Sequence, residues 1–193
     1  MRIAVSGTHC SGKTTLIDEF LLNHPDYSHE PEPYAVLQEE YGEAFSAEPG
    51  GEEFYRQLEF NVSRLHEYAM GKCVIFERCP VDFLAYLLAL KDLGRDEDGS
   101  RIADTSLDMV MDGIQFLDLI VFLPAGDKGR SAIPDSEDPE LRSAVDARLG
   151  GILTDDDFAL FDSGRPLVLE ATGTTAQRLR TLEAALENPQ AGN

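Results

Sequence analysis

The sequence predicts an α/β fold in three layers, with five parallel strands sandwiched between helices. Short apolar runs alternate with longer segments of helical periodicity along all 193 residues, the pattern of a parallel sheet covered on both faces. A glycine-rich turn stands directly between the first run and the first helix. Apolar content of 42% and charged content of 27% suit a globular domain rather than a disordered chain. The length fits one domain, with a mobile lid over residues 125–150.

The elements follow in order. Arg2 to Ser6 is a short apolar run ending in small residues, as in a buried strand. Gly7 to Gly12 is the turn. Lys13 to Asn23 carries Leu16, Ile17, Phe20 and Leu21 on one helical face, and His24-Pro25-Asp26 stops it. Tyr27 to Glu30 is a second strand, ended early by Pro31 and Pro33. Ala35 to Phe45 has helical character, and Glu48-Pro49-Gly50-Gly51 breaks it. Glu52 to Met70 is a long helix with Phe54, Leu58, Val62 and Leu65 at helical spacing, and Gly71 is its stop. Cys73 to Phe76 is the third strand, leaving through Glu77-Arg78-Cys79-Pro80. Val81 to Leu93 is an apolar helix, Gly94 to Ser100 an acidic turn, and Ile102 to Phe116 another helix. Leu119 to Leu123 is the fourth strand. Ala125 to Pro139, rich in Gly, Pro, Ser and charge, is a loop. Leu141 to Leu153 is helical, Leu167 to Glu170 is the fifth strand, and Thr174 to Leu186 is the last helix.

Charge excludes some partners. Lys and Arg total 16 against 36 Asp and Glu, a formal net charge of −20. Such a chain repels nucleic-acid backbones and anionic membrane surfaces. A small anionic ligand feels local charge instead. From Met1 to Ile17 there is no acidic residue, only Arg2 and Lys13. Three cysteines without a CxxC pair suggest free thiols in a reducing compartment. The opening MRIAVSG lacks the apolar core and cleavage site of a signal peptide, and no apolar run reaches membrane-spanning length. A cytoplasmic protein is expected. The histidines show no metal-ligand spacing.

The turn carries the chemistry. Gly7-Thr8-His9-Cys10-Ser11-Gly12-Lys13-Thr14 matches GxxxxGK[ST], after a strand and opening a helix. Its glycines let successive backbone N–H groups form an anion nest at a helix N-terminus. Lys13 reaches the β- and γ-phosphates, the Thr14 hydroxyl ligates Mg²⁺, and Thr15 is placed for the α-phosphate. A nucleoside triphosphate with Mg²⁺ is the expected ligand, and the acidic body predicts that affinity depends on the ion.

No NKxD-type guanine reader and no LSGGQ-type signature occur. Among proteins with this loop, the small kinases remain. These need a second pocket and cations over the transferred phosphate. Glu77 and Arg78 lie at the carboxyl end of the third strand, where open sheets bind ligands. Glu77 is placed to hold a Mg²⁺-bound water or orient a hydroxyl, and Arg78 to neutralise a phosphoryl group. Alternatively, the two form a surface ion pair.

GTHCSGKTTL resembles the phosphate loop of the nicotinamide-riboside-kinase-like ATPase group, and VIFERCPVDFLAYL resembles its [DE]R[SC]-P-x-D-x-x-A-Y block. The latter also resembles the Glu-Arg-Ser strand end of deoxynucleoside kinases. This resemblance to P-loop nucleoside and nucleotide kinases implies the P-loop NTPase fold, strand order 2-3-1-4-5 and a lid. It implies ATP as phosphoryl donor and a nucleoside-like acceptor. It also implies a carboxylate base after the second strand: Glu30 or Glu32 in His29-Glu30-Pro31-Glu32-Pro33 matches, with Glu30 closer to the strand. Gln57 is the matching base reader. Related lids bring arginines onto the phosphates, which points to Lys128, Arg130, Arg142 and Arg148, although the tight Arg-x-Arg lid is absent. Glu170 to Thr175, including Gly173 and Thr174, is the loop expected beside adenine, unless Thr174 only caps the last helix. The alternative to a kinase is a nucleotide-responsive regulatory ATPase without a small acceptor.

Overall fold

The computed structural model describes residues 1–46, 49–71, 73–95, 99–125, 138–162 and 164–187, with the side chains of 99–104 left aside. Five strands form one sheet: β1 (Arg2–Ser6), β2 (Ser28–Glu30), β3 (Val74–Glu77), β4 (Leu119–Phe122) and β5 (Leu167–Glu170). Every pairing is parallel and the order is β2-β3-β1-β4-β5. The helices are α1 (Lys13–Asn23), α2 (Pro33–Glu39), α3 (Gly51–Glu67), α4 (Pro80–Asp92), α5 (Gly99–Ile114), α6 (Pro139–Leu153) and α7 (Thr175–Glu187). This is the three-layer fold with the expected strand order.

Strand side chains alternate between faces. Ile3, Val5, Ile75, Leu119 and Val121 meet Leu16, Ile17 and Phe20 of α1 and Leu182 of α7. Ala4, Phe76, Ile120 and Phe122 face the larger cluster formed with α3, α4, α5 and α6. Helix α4 packs against all three of these neighbours, and its residues from Pro80 to Leu90 are all buried. That explains an apolar stretch with no polar face. Each large side chain buried in this way contributes about 1.5–3 kcal/mol. None of the helices, searched over the described residues, is long and apolar enough to cross a membrane.

Two helices differ most from expectation. Helix α2 starts at Pro33 and ends at Glu39, not at Ala35 and Phe45. Proline suits the first helical position because its missing N–H is unneeded there. The chain after α2 turns at Gly42, whose φ is +69°. Helix α5 begins at Gly99, inside the segment expected as a turn.

Candidate functional site

The carboxyl ends of β1 and β3, at the centre of the sheet, open into one crevice. Strand β1 delivers Gly7 with φ +152°. A Cβ there would stand 2.7 Å from the Leu123 carbonyl oxygen and 2.6 Å from Ser11 Oγ, so only glycine fits. Gly12, at φ +93°, is the N-cap of α1 and no side chain caps the helix. The first turn of α1 therefore presents its free N–H groups to the loop. Ser11 Oγ and Thr8 Oγ1 are buried without hydrogen-bond partners. Orphaned donors around a cradle are what an anionic ligand satisfies.

Lys13 is 4% exposed and donates to the Thr8 carbonyl at 3.1 Å. Burial, then repulsion from Arg78, lowers its pKa to about 8, although Glu32, Asp82 and Glu77 oppose the shift. Arg142 on α6 donates through Nε to the His9 carbonyl at 3.1 Å. Arg178 on α7 donates through Nη1 to the Ser11 carbonyl at 2.6 Å. Cys10 (φ +57°) and His9 are exposed on the loop, and Thr15 lies exposed in the first turn of α1.

Thr14 Oγ1 donates to Glu77 Oε1 at 2.8 Å, and His29 Nε2 lies 4.0 Å from Glu77 Oε2. The hydroxyl and carboxylate expected to serve Mg²⁺ are thus side by side. Among the described residues no group of three or more His, Cys, Asp and Glu side chains could hold a metal. The Thr14–Glu77 pair suits an ion shared with phosphate oxygens, the usual mode for Mg²⁺.

Arg78 organises the other half of the crevice. It is buried, with φ +75°, a left-handed conformation that costs about 1–2 kcal/mol for a residue with a side chain. A network holds it there. Its Nε pairs with Glu32, and its Nη1 donates to the Gly7 carbonyl at 3.2 Å and approaches Asp82 Oδ1 at 3.4 Å. Asp82 is fully buried and also accepts from the N–H groups of Gly7 at 3.0 Å and Cys79 at 2.9 Å. Burial tends to raise the Glu32 pKa, but the Arg78 and Lys13 charges overcome this and bring it down to about 2. Asp82 carries no motif-level signal beyond its place in the Pro-x-Asp block, and Arg178 carries none.

Glu32 and Arg78 form one wall of a cavity of about 270 Å³. Phe54, Phe83 and Tyr86 line it, with the Phe54 and Tyr86 rings stacked at 4.4 Å and 17°. Gln57 also lines it, its amide donating to the Glu53 carbonyl at 3.3 Å. The Arg78 guanidinium lies 5.3 Å from the Tyr86 ring centroid.

Glu30 goes elsewhere. Its carboxylate is gripped by Arg64 of α3 at 2.6 and 2.9 Å, and it does not line the cavity. Of the two carboxylates offered by the sequence, Glu32 and not Glu30 faces the cavity. Arg148 is paired with Asp92 on the protein surface. Lys128 and Arg130 lie outside the described residues. Thr174 is a helix cap: its Oγ1 accepts from the Gln177 N–H at 3.3 Å, and its own N–H donates to Gln177 Oε1 at 2.9 Å. Gly173, at φ +88°, makes the preceding turn.

The fold is shared with solved kinases. Deoxyadenosine kinase from M. mycoides with bound dATP superposes with a TM-score of 0.71 at 17% identity, covering 97% of this chain and 100% of that one. The same enzyme with dCMP and a flexible dCDP gives 0.68 at 15%, over 97% and 99%. Thymidylate kinase from Candida albicans gives 0.67 at 15%, over 100% and 93%. No curated protein matches the sequence. The AAA domain family matches residues 2–178, nearly the whole length. With the phosphate loop, the parallel sheet and the buried Arg78 network in place, the chain belongs to the AAA domain family and has the fold of the P-loop nucleoside and nucleotide kinases.

Proposed function

We propose that this protein is a MgATP-dependent kinase that phosphorylates a hydroxyl of an uncharged, nucleoside-like metabolite. The observation that carries the reading is Glu32. It is an ionised carboxylate on the wall of an aromatic cavity, drawn down in pKa by Arg78 and Lys13. One cavity wall thus adjoins the phosphate loop.

Donor binding falls to the Gly7–Thr14 loop, with Lys13 on the β- and γ-phosphates. Thr14 and Glu77 would hold Mg²⁺, which would supply charge neutralisation at the polyphosphate. On the acceptor side Glu32 accepts the hydrogen bond of the hydroxyl and aims its oxygen. With a pKa of about 2 it is a weak base. Orientation is therefore its main role: the bond from the γ-phosphorus to ADP breaks as the bond to the hydroxyl oxygen forms, and the proton passes to the Glu32 carboxylate late, once bonding to phosphorus has made it acidic. A loose transition state tolerates this, because positioning and electrostatics supply most of the catalysis. Arg78 fixes Glu32 and adds positive field.

Charge selects the acceptor class. Among the described residues lining the cavity, Arg78 is the one arginine or lysine, and Glu32 and Asp82 already neutralise it; His9 is the remaining basic side chain. A phosphomonoester acceptor would find no unneutralised arginine or lysine among these residues, whereas a neutral ring finds aromatic faces and the Gln57 amide. Of the kinase neighbours, deoxyadenosine kinase supports this class, whereas thymidylate kinase is the precedent for a monophosphate acceptor.

The test is ADP release from MgATP against a panel of nucleosides and nucleoside monophosphates, for wild type and Lys13→Ala. Nucleoside-dependent turnover that vanishes in the variant is expected. Turnover with monophosphates alone overturns the acceptor class. Hydrolysis indifferent to every acceptor overturns the kinase and favours a regulatory ATPase.

A further inference from the structure

Among the described residues, most arginines of this acidic protein pair with carboxylates: Arg2, Arg56, Arg64, Arg78, Arg95, Arg148 and Arg165. Around the phosphate loop the pattern changes. Lys13, Arg142 and Arg178 make no salt bridge to a described carboxylate, and each donates instead to a loop carbonyl, at Thr8, His9 and Ser11 respectively. With 36 acidic residues available, three such cations converging on one loop mark a place where negative charge is meant to arrive.

Lys13 belongs to the loop motif and Arg142 to the helix after β4. Arg178 comes from α7, far along the chain. Its Nη1 sits 3.2 Å from where a Gly12 Cβ would be, so the guanidinium touches the point at which the loop enters α1. Its Nε is buried with no hydrogen-bond partner. Burial alone pulls its pKa below the ordinary value, since no carboxylate opposes it. A guanidinium has five donors in a planar fork. Here one end is spent on a carbonyl while the Nε–H is unsatisfied.

We propose that Arg178 is a nucleotide-contacting residue, a cation delivered by the last helix to the α-phosphate end of the bound triphosphate. Within the loop Lys13 and Thr14 serve the β- and γ-phosphates and the metal. Arg178 meets the loop at the Ser11 carbonyl and beside Gly12, where α1 begins. The inference rests on the nucleotide site proposed above. It assigns to α7 a part in donor binding besides its packing on α1.

Calorimetric titration of wild type, Arg178→Gln and Arg178→Lys with MgATP and with MgADP tests this without any acceptor. Glutamine keeps a donor for the Ser11 carbonyl and removes the charge. Arg178→Gln is expected to weaken both nucleotides by the same factor, about ten- to a hundredfold, with Arg178→Lys in between. Melting without nucleotide is expected to match wild type for both variants. Affinity unchanged in Arg178→Gln overturns the proposal. Loss for ATP but not ADP overturns the α-phosphate assignment. Equal losses in both variants, with lowered melting, show a structural pin and overturn it too. Wild-type protein that binds neither nucleotide refutes the underlying site itself, an outcome distinct from wild-type binding with an indifferent variant.

Discussion

Replacing Lys13 by methionine should make the protein more stable while disabling it. Lys13 is charged and buried, and its pKa falls from 10.5 to about 8. At 1.36 kcal/mol per pH unit this means that holding the proton costs the folded state about 3 kcal/mol at neutral pH. Methionine keeps the apolar stem and drops the charge. It also loses the hydrogen bond to Thr8, worth about 1.5 kcal/mol. A net gain on the order of 1–2 kcal/mol remains, or a few °C in Tm for a chain of this size. The pH dependence has a definite sign. Between pH 8 and 10.5 the unfolded chain keeps the Lys13 proton and the folded protein has released it. Raising pH through that window therefore stabilises wild type, and the gap to Lys13→Met should close. Calorimetric melting of both proteins from pH 7 to 10 checks this, and the comparison cancels tyrosine titration common to both. A Lys13→Met protein that melts at or below wild type at pH 7 would refute the reasoning.

The two carboxylates near β2 should separate cleanly. Glu32→Gln is expected to lower acceptor-dependent turnover by about a hundredfold or more while MgATP binding by calorimetry stays near wild type. Glu30→Gln should leave turnover nearly unchanged and lower Tm, since it breaks the Arg64 ion pair; the opposite pattern restores Glu30 as the base. Thiol labelling gives an independent readout of the loop. Cys10 is exposed and Cys79 buried, so N-ethylmaleimide should modify Cys10 first. Saturating MgATP should slow that reaction at least several-fold, measured by mass spectrometry of the peptide. Equal labelling with and without MgATP would contradict the assignment of the loop.

Much of this architecture is legible in the residues. Apolar runs of four or five mark β1, β3, β4 and β5, because strands covered on both faces need no polar side. The loop motif identifies the cradle, since its glycines are required by a backbone that approaches Leu123 and Ser11 too closely for a Cβ. The acceptor side is harder to read. Glu30 and Glu32 are two residues apart in an acidic segment, and what separates them is which arginine reaches each one. Glu30 ends β2 and faces Arg64 across the sheet edge, whereas Glu32 lies beyond the strand in the crevice with Arg78. Those encounters depend on how α3 and α4 pack. Arg178 is less visible still. It is an ordinary polar residue of an amphipathic helix until α7 docks on α1. Helix α2 ends earlier than its sequence suggests, because Leu37, Tyr41, Ala44 and Phe45 keep helical spacing past the actual stop.

The Asp82 network has a consequence for how the two proposed substrates affect each other's affinity. Asp82 holds the Gly7 N–H at the proposed donor loop and touches Arg78, which holds Glu32 at the proposed acceptor wall. Two hydrogen-bonded side chains therefore span the distance from donor to acceptor. Linkage makes any communication through them symmetrical. Whatever factor MgATP adds to acceptor affinity, the acceptor returns to MgATP. Synergy measured with one ligand varied must then reappear, with the same magnitude, when the other is varied.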